Sequence, residues 1–425
     1  MPSESVDPRG LEDEARLHWW DSWAPWFASR GYQLHKLIYE TEGEYMELTR
    51  SLLPAMKVRE GDGMDPSPYA YIEADVHSQG ALVDPEKLEP TFPNSARVFF
   101  AQDAQGCLVA IKIVQKDTHH DHITRLLLQE GQEKVLENCV MPILDILDVD
   151  SESFYFAVMP KWDIVPPYSF RTMGVVLAYM HCMLKGLVFL HSKKIVHRDI
   201  KHGNTVMNYC CGFYHRYPDS LKYTTLEAQG LIKYVTIDFD IAIMFPPDTL
   251  PSQCRLPYTD SWLGTNNYNI HDTHQGEHDY DPFAFDVALL GYLFCCHFQH
   301  LTPYEPMLAP LLDRMVTRTV SKCFTTAEAL QFFEDFPPDS RLDTPVDSDP
   351  SFEQYEKDDR WENLPAEFIQ RWSAYREPPV PRSIMWIRKI CLRGTGYNRA
   401  LVITRKILGW VLHLCSVSLR TARTL

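Results

Sequence analysis

The stretch His197-Arg198-Asp199-Ile200-Lys201-His202-Gly203-Asn204 constrains this chain more than any other. It carries an acid, a lysine two positions on and an amide five positions on from the acid. Residues so close can share one loop, where the Asp accepts a hydroxyl proton, the Lys neutralises a transferred anionic group and the Asn ligates a metal ion. Between Arg171 and Ser192, the residues Val176, Met180, Met183, Leu184, Leu187 and Val188 recur at helical intervals, which predicts a buried helix leading into that loop. Downstream, Val235-Thr236-Ile237 reads as a strand ending at Asp238-Phe239-Asp240. Asn204 precedes Asp238 by 34 residues, more than a hairpin needs, so the excess around 209–219 reads as a loop or longer hairpin beside the site.

Upstream, Arg97 to Ala101 and Leu108 to Val114 alternate as two strands around a turn containing Gly106. Lys112 lies on the second of these strands, 87 residues before Asp199. Val140 to Leu147 and Phe154 to Met159 predict a second hairpin, and Ile123, Leu126 and Leu127 a helix between the two hairpins. The run His119-His120-Asp121-His122 starts that helix, where contiguous side chains diverge around the axis, so it reads as a solvated helix start.

Taken in order, Val109-Ala110-Ile111-Lys112, the loop from His197 to Asn204, Asp238-Phe239-Asp240, the segment Gly264 to Asp272 and Asp286-Val287-Ala288-Leu289-Leu290-Gly291 resemble the motifs of eukaryotic protein kinases. The resemblance runs from about Ala81 to Phe336, and in finer style it is similar to the protein-kinase-like proteins of mushroom-forming fungi. It implies an α+β, two-lobed protein kinase-like fold, with a small antiparallel β lobe holding one helix and a large, mainly helical lobe. It also implies ATP with Mg²⁺ or Mn²⁺, and a protein substrate phosphorylated on serine or threonine. By the same resemblance Asp199 is the base, Lys201 the cation on the transferred phosphoryl group, and Lys112 the grip on the α- and β-phosphates. Asn204 and Asp238 hold metal, and Met159 opens an ATP-binding hinge, Met159-Pro160-Lys161-Trp162, with Val158 as gatekeeper. His197, Arg198, Thr265 and Asp286 support the loop, and Arg198 is placed to meet a phosphate on Thr249, Ser252, Tyr258, Thr259 or Ser261.

The chain departs from that pattern in four places. The segment Thr91 to Ala96 has no glycine to bring backbone amides close to phosphates. Asp240 stands where glycine is usual, an exchange that Asp softens by tolerating left-handed backbone. Asp272 and Cys323 replace both members of a Glu–Arg pair. The residue that orients Lys112 is Glu130 by counting, or His119 or His120 by helix face. Two readings follow: a serine/threonine kinase, or a pseudokinase scaffold that keeps the fold with weak or no catalysis.

The remainder flanks this core. From Leu11 to Arg30 the residues Leu17, Trp20, Trp23, Trp26 and Phe27 form the apolar face of a helix, expected to pack on the chain's own small lobe. From Glu334 to Glu367 twelve acidic residues meet three basic ones among five prolines, which reads as an extended linker. From Arg382 to Leu425 nine basic residues and no acidic one interleave with apolar positions, a pattern of a helix on an anionic membrane surface or docked on the acidic stretch. The predicted organisation is therefore an N-terminal extension over 1–65, a small lobe over 66–162, a large lobe over 163–336, an acidic linker over 337–381 and a basic amphipathic tail over 382–425. The net charge of −16 argues against general nucleic-acid binding. The eleven cysteines lack zinc-ligand spacing and read as reduced thiols. The first thirty residues contain no apolar targeting segment, and the expected setting is intracellular, cytoplasmic or nuclear, with peripheral membrane association through the tail.

Overall fold

The structure is a computed structural model that describes residues 13–39, 47–50, 67–72, 97–166, 169–210, 221–263, 279–336, 341–346, 359–379, 381–391, 396–397 and 399–408. The glycine-free segment 91–96, Thr265, Asp272 and most of the 209–219 insertion lie outside them. The fold is α+β, and the chain divides into two compact units.

The first unit comprises Met1–Phe189, His202–Asp240 and Leu342–Ser348. Its centre is a five-stranded antiparallel sheet of β1 (Gln33–Leu34), β2 (Val98–Gln102), β3 (Leu108–Gln115), β4 (Asp145–Asp148) and β5 (Phe154–Pro160), in the order β1-β2-β3-β5-β4. The β2–β3 turn closes because the Asp103 carboxylate accepts from the amides of Gln105 and Cys107, at 3.0 and 2.8 Å, while Gly106 takes φ +83°. Register then sorts the side chains. Lys112 lies opposite Val98 and Ala157, and Ile111 opposite Phe99 and Val158, so the two sets occupy opposite faces.

The Ile111 face is covered by the two N-terminal helices, α1 (Asp13–Ser22) and α2 (Ala24–Ala28). Trp19, Trp20, Trp23 and Phe27 pack there on Phe99, Phe154 and Phe156, with ring centroids 5.4 Å apart for Trp20–Phe99 and 4.7 Å for Phe27–Phe156. The helix α3 (His119–Glu130) begins at Thr118, whose hydroxyl accepts from the Asp121 amide, and ends before Gly131 at φ +89°. A three-stranded sheet of β6 (Asp163–Ile164), β7 (Thr205–Met207) and β8 (Tyr234–Thr236), ordered β8-β7-β6, carries the chain up to Asp238. The long helix α4 (Met173–Ser192) starts against residues 342–346, where the amides of Met173 and Gly174 donate to the carbonyls of Thr344 and Leu342 at 2.9 and 2.8 Å.

The second unit comprises Leu190–Lys201, Ile241–Arg341 and Asp349–Leu425. Its core helix α5 (Pro282–Phe298) is capped by Asp281, whose carboxylate accepts from the amides of Phe283 and Ala284. Around it lie α6 (Leu308–Met315), α7 (Thr326–Asp335) and α8 (Ala366–Trp372). Inside the acidic stretch, Trp361 is 2% exposed and donates its Nε1–H to Asp313 at 2.7 Å. Arg360 and the Glu377 amide donate to the same carboxylate, so residues 359–377 are fastened to α6. Gly291 on α5 lets α6 approach: a Cβ there would lie 2.6 Å from the Met315 Cβ and 2.9 Å from a Val316 methyl. Gly291→Ala is expected to cost about 1–3 kcal/mol, read as a lower urea midpoint at unchanged slope.

Candidate functional site

The Lys112 face of the first unit's sheet opens onto a cavity of about 500 Å³, within the range of small-molecule sites. Val98, Ala110, Ala157, Met159, Val206 and Ile237 give it apolar walls, and Lys112, Asn204, Asp238 and Asp240 a polar end. Met159 therefore stands on the cavity. Val158 does not; it is fully buried on the opposite face with the tryptophan cluster, so it cannot serve as gatekeeper. The pleat decides this, since a one-residue step along a strand reverses the face, and β5 offers Ala157 and Met159 to the cavity, with Pro160 at the strand end. Beyond β5, Lys161 is 3% exposed and pairs with Asp163 at 2.7 Å. Burial, followed by the nearby Lys161 charge, pushes the His35 imidazole down to about 3, and that ring stays neutral.

At the polar end Lys112 Nζ lies 2.6 Å from Asp238 Oδ1 and 2.8 Å from Asp240 Oδ1. Asn204 is positioned by its own backbone, since its carbonyl accepts from the Ile237 amide at 2.9 Å and joins the loop to the strand that ends before Asp238. Asp238 sits at φ +74°, a left-handed conformation that costs a non-glycine residue about 1–3 kcal/mol and is tolerated best by Asp and Asn. The tripeptide thus places its left-handed residue first, at Asp238 rather than at Asp240 where glycine is usual. Burial alone would raise the Asp240 carboxyl, but the His120 hydrogen bond and the Lys112 charge together hold it well below the usual range. Burial lowers His120 in turn, against the pull of Asp240.

Asn204 and Asp238 offer amide and carboxylate oxygens, the hard donors that Mg²⁺ and Mn²⁺ prefer. The triphosphate end of a nucleotide fits the same place, with one lysine beside these oxygens and an apolar slot for a base behind. The histidines of the 119–122 run do diverge: His120 faces the cavity, while His119 and His122 are exposed.

His197 to Lys201 of the loop belong to the second unit. Asp286, fully buried on α5, accepts from the amides of His197 at 2.6 Å and Arg198 at 2.7 Å, and lies 3.1 Å from His191 Nε2. These bonds hold Arg198 at φ +69° and fix the backbone that presents Asp199. The Asp199 amide donates to His197 Nδ1 at 3.2 Å, and Lys201 Nζ donates to Asp199 Oδ2 at 2.8 Å. The Arg198 guanidinium is 4% exposed by residue and donates to the carbonyls of Ile241 and Asp260, so here it braces the following segment through backbone. Among the residues proposed for phosphate, Ser252 is exposed while Tyr258 and Ser261 are buried.

For the orientation of Lys112, the three sequence candidates on α3 separate. Glu130 pairs with Lys134 at the far end of the helix, and His119 is exposed. His120 reaches the site, but through Asp240, with Nδ1 3.2 Å from its Oδ1. Asp240 and Arg97 are the participants that motif reading missed. The available signal was an acid gained at 240 alongside an acid missing from the inner face of α3.

No family profile matches the chain. Curated proteins to which it is similar are protein kinases. A probable serine/threonine-protein kinase of Dictyostelium discoideum is 27% identical over 110 residues, 24% of this chain and 22% of that one. Cyclin-dependent kinase B2-1 of Oryza sativa subsp. japonica is 26% identical over 99 residues, covering 23% and 28%. A mitogen-activated protein kinase homolog of Medicago sativa is 24% identical over 200 residues, covering 47% and 48%. The matched region spans about half or less of the length of these relatives, and the similarity supports a protein-kinase-like domain.

Proposed function

We propose that the chain is an ATP-dependent protein serine/threonine kinase of two lobes, transferring the γ-phosphoryl group to a protein hydroxyl. The observation that carries this reading is the meeting of Lys112 and Asp238, 126 residues apart in sequence, at 2.6 Å on the polar end of an apolar cavity of about 500 Å³. Lys112 donates to the α- and β-phosphates, and the slot between Ala110, Met159 and Val206 takes the adenine. Pro160 has no amide hydrogen, so the base is met by other backbone groups of the hinge. Asn204 and Asp238 would hold a divalent ion, which would supply neutralisation of the nucleotide's phosphate charge. Asp199 accepts the proton of the substrate hydroxyl, and Lys201, hydrogen-bonded to that carboxylate, donates to the transferred group.

A scaffold without catalysis is the second reading, favoured by the glycine-free segment 91–96. Thermal unfolding with and without Mg-ATP tests nucleotide binding. At a hundredfold excess over Kd, the midpoint is expected to rise on the order of 5 °C. No shift with either Mg²⁺ or Mn²⁺ present would contradict the nucleotide site altogether.

The basic tail is read as a peripheral contact with an anionic membrane surface. Support comes from the helix α9 (Arg382–Cys391), where Met385, Trp386 and Ile390 are 45%, 68% and 40% exposed beside exposed Arg382 and Lys389. Co-sedimentation with phosphatidylserine vesicles is expected for the full chain and lost without 382–425. Equal sedimentation of both would contradict it.

A further inference from the structure

A lysine that grips phosphates must itself be held, and in kinases a carboxylate on the helix of the small lobe does so. Here α3 has none to offer. Asp121 is engaged in its first turn with Arg125 and the Asp117 amide, and Glu130 is engaged with Lys134. What α3 sends into the cavity is His120, 9% exposed, and Thr124 one turn on. Beside Lys112 lie instead the carboxylates of Asp238, the candidate metal ligand, and of Asp240, and both oxygens of Asp240 are used. Oδ1 lies 2.8 Å from Lys112 Nζ and 3.2 Å from His120 Nδ1, while Oδ2 accepts from the Arg97 guanidinium. The three donors come from β3, from α3 and from the residue just before β2, so the carboxylate is fixed from three sides.

We propose that Asp240 is the positioning residue of Lys112, taking the place of a helix carboxylate, with His120 and Arg97 orienting it. The inference rests on the kinase reading and adds to it a different way of assembling the site. Where the carboxylate rides on a helix, movement of the helix breaks the lysine's anchor. Here the anchor is two residues beyond Asp238, so the lysine and the metal ligand are held by one short segment, and displacement of 238–240 removes both together. Helix α3 contributes the His120 ring to Asp240 and no carboxylate to Lys112, so its position governs Lys112 at second hand.

A double-mutant cycle on Mg-ATP affinity, measured by calorimetry on the full chain, tests this. Asp240→Asn keeps the shape and removes the charge, and is expected to weaken binding roughly ten- to hundredfold, the worth of a hydrogen bond to a charged group. In a Lys112→Met background the same change is expected to have little further effect, because Asp240 acts through the lysine. A substitution that merely loosened the fold would weaken binding by the same factor in both backgrounds. The paired variant Asp240→Gly with His120→Glu returns a carboxylate to the helix and is expected to recover most of the affinity lost by Asp240→Gly alone. If the wild type binds Mg-ATP but Asp240→Asn binds equally well, or its loss multiplies with that of Lys112→Met, the role of Asp240 is overturned and the kinase reading stands. If the wild type binds no nucleotide, both fall.

Discussion

Asp199→Asn is expected to lower the rate of phosphoryl transfer by roughly 10²–10⁴, the range over which a positioned general base contributes. The change is isosteric. The loop is held from behind by the Asp286 carboxylate on the amides of His197 and Arg198, so its backbone does not depend on the Asp199 charge. What is lost is the proton acceptor and the partner of Lys201, whose Nζ lies 2.8 Å from Asp199 Oδ2. Nucleotide affinity is expected to stay within a few-fold of wild type, because Lys112, Asn204 and Asp238 supply it. A split of this kind, with kcat reduced and binding kept, assigns the residue to the chemical step. Equal activity of the variant would remove Asp199 from the mechanism.

Trp20→Ala is expected to destabilise the first unit by about 3–5 kcal/mol, the usual cost of deleting a buried indole. Trp20 is 1% exposed and stacks on Phe99, with Trp19, Phe27 and Phe156 within ring contact. These contacts back the face of the sheet opposite Lys112. Loss of the indole leaves a cavity directly behind the strands that present Lys112 and Met159. Equilibrium urea unfolding measures the loss, and a change under 1 kcal/mol would mean that the N-terminal helices contribute little to the sheet. Such a result would also detach the extension from any structural part in the site.

Residues whose partners are close in sequence were legible from sequence alone. The loop from His197 to Asn204, the β2–β3 hairpin around Gly106 and the helical spacing of Leu17, Trp20, Trp23 and Phe27 all announce themselves through offsets of a few positions. Facing was harder. Val158 and Met159 are neighbours in an unbroken apolar run, and only the register with Ile111 and Ala110 shows which one turns to the cavity. The composition of 337–381 pointed to a linker, yet it hid Arg360, Trp361 and Glu377, three residues whose partner Asp313 is about fifty to sixty positions away. The orientation of Lys112 was least legible of all. Motif reading asks which residue stands at an expected position, whereas Asp240 does the work from a position where an acid is unexpected.

The proposed reaction moves phosphate from ATP to protein hydroxyls. Transfer of ³²P from [γ-³²P]ATP to a generic protein substrate with Mg²⁺ or Mn²⁺, followed by phosphoamino-acid analysis, tests it most directly. Label is expected on serine and threonine from the wild type and none above background from Asp199→Asn. Absence of label from the wild type with either metal, or equal labelling by both proteins, would contradict it.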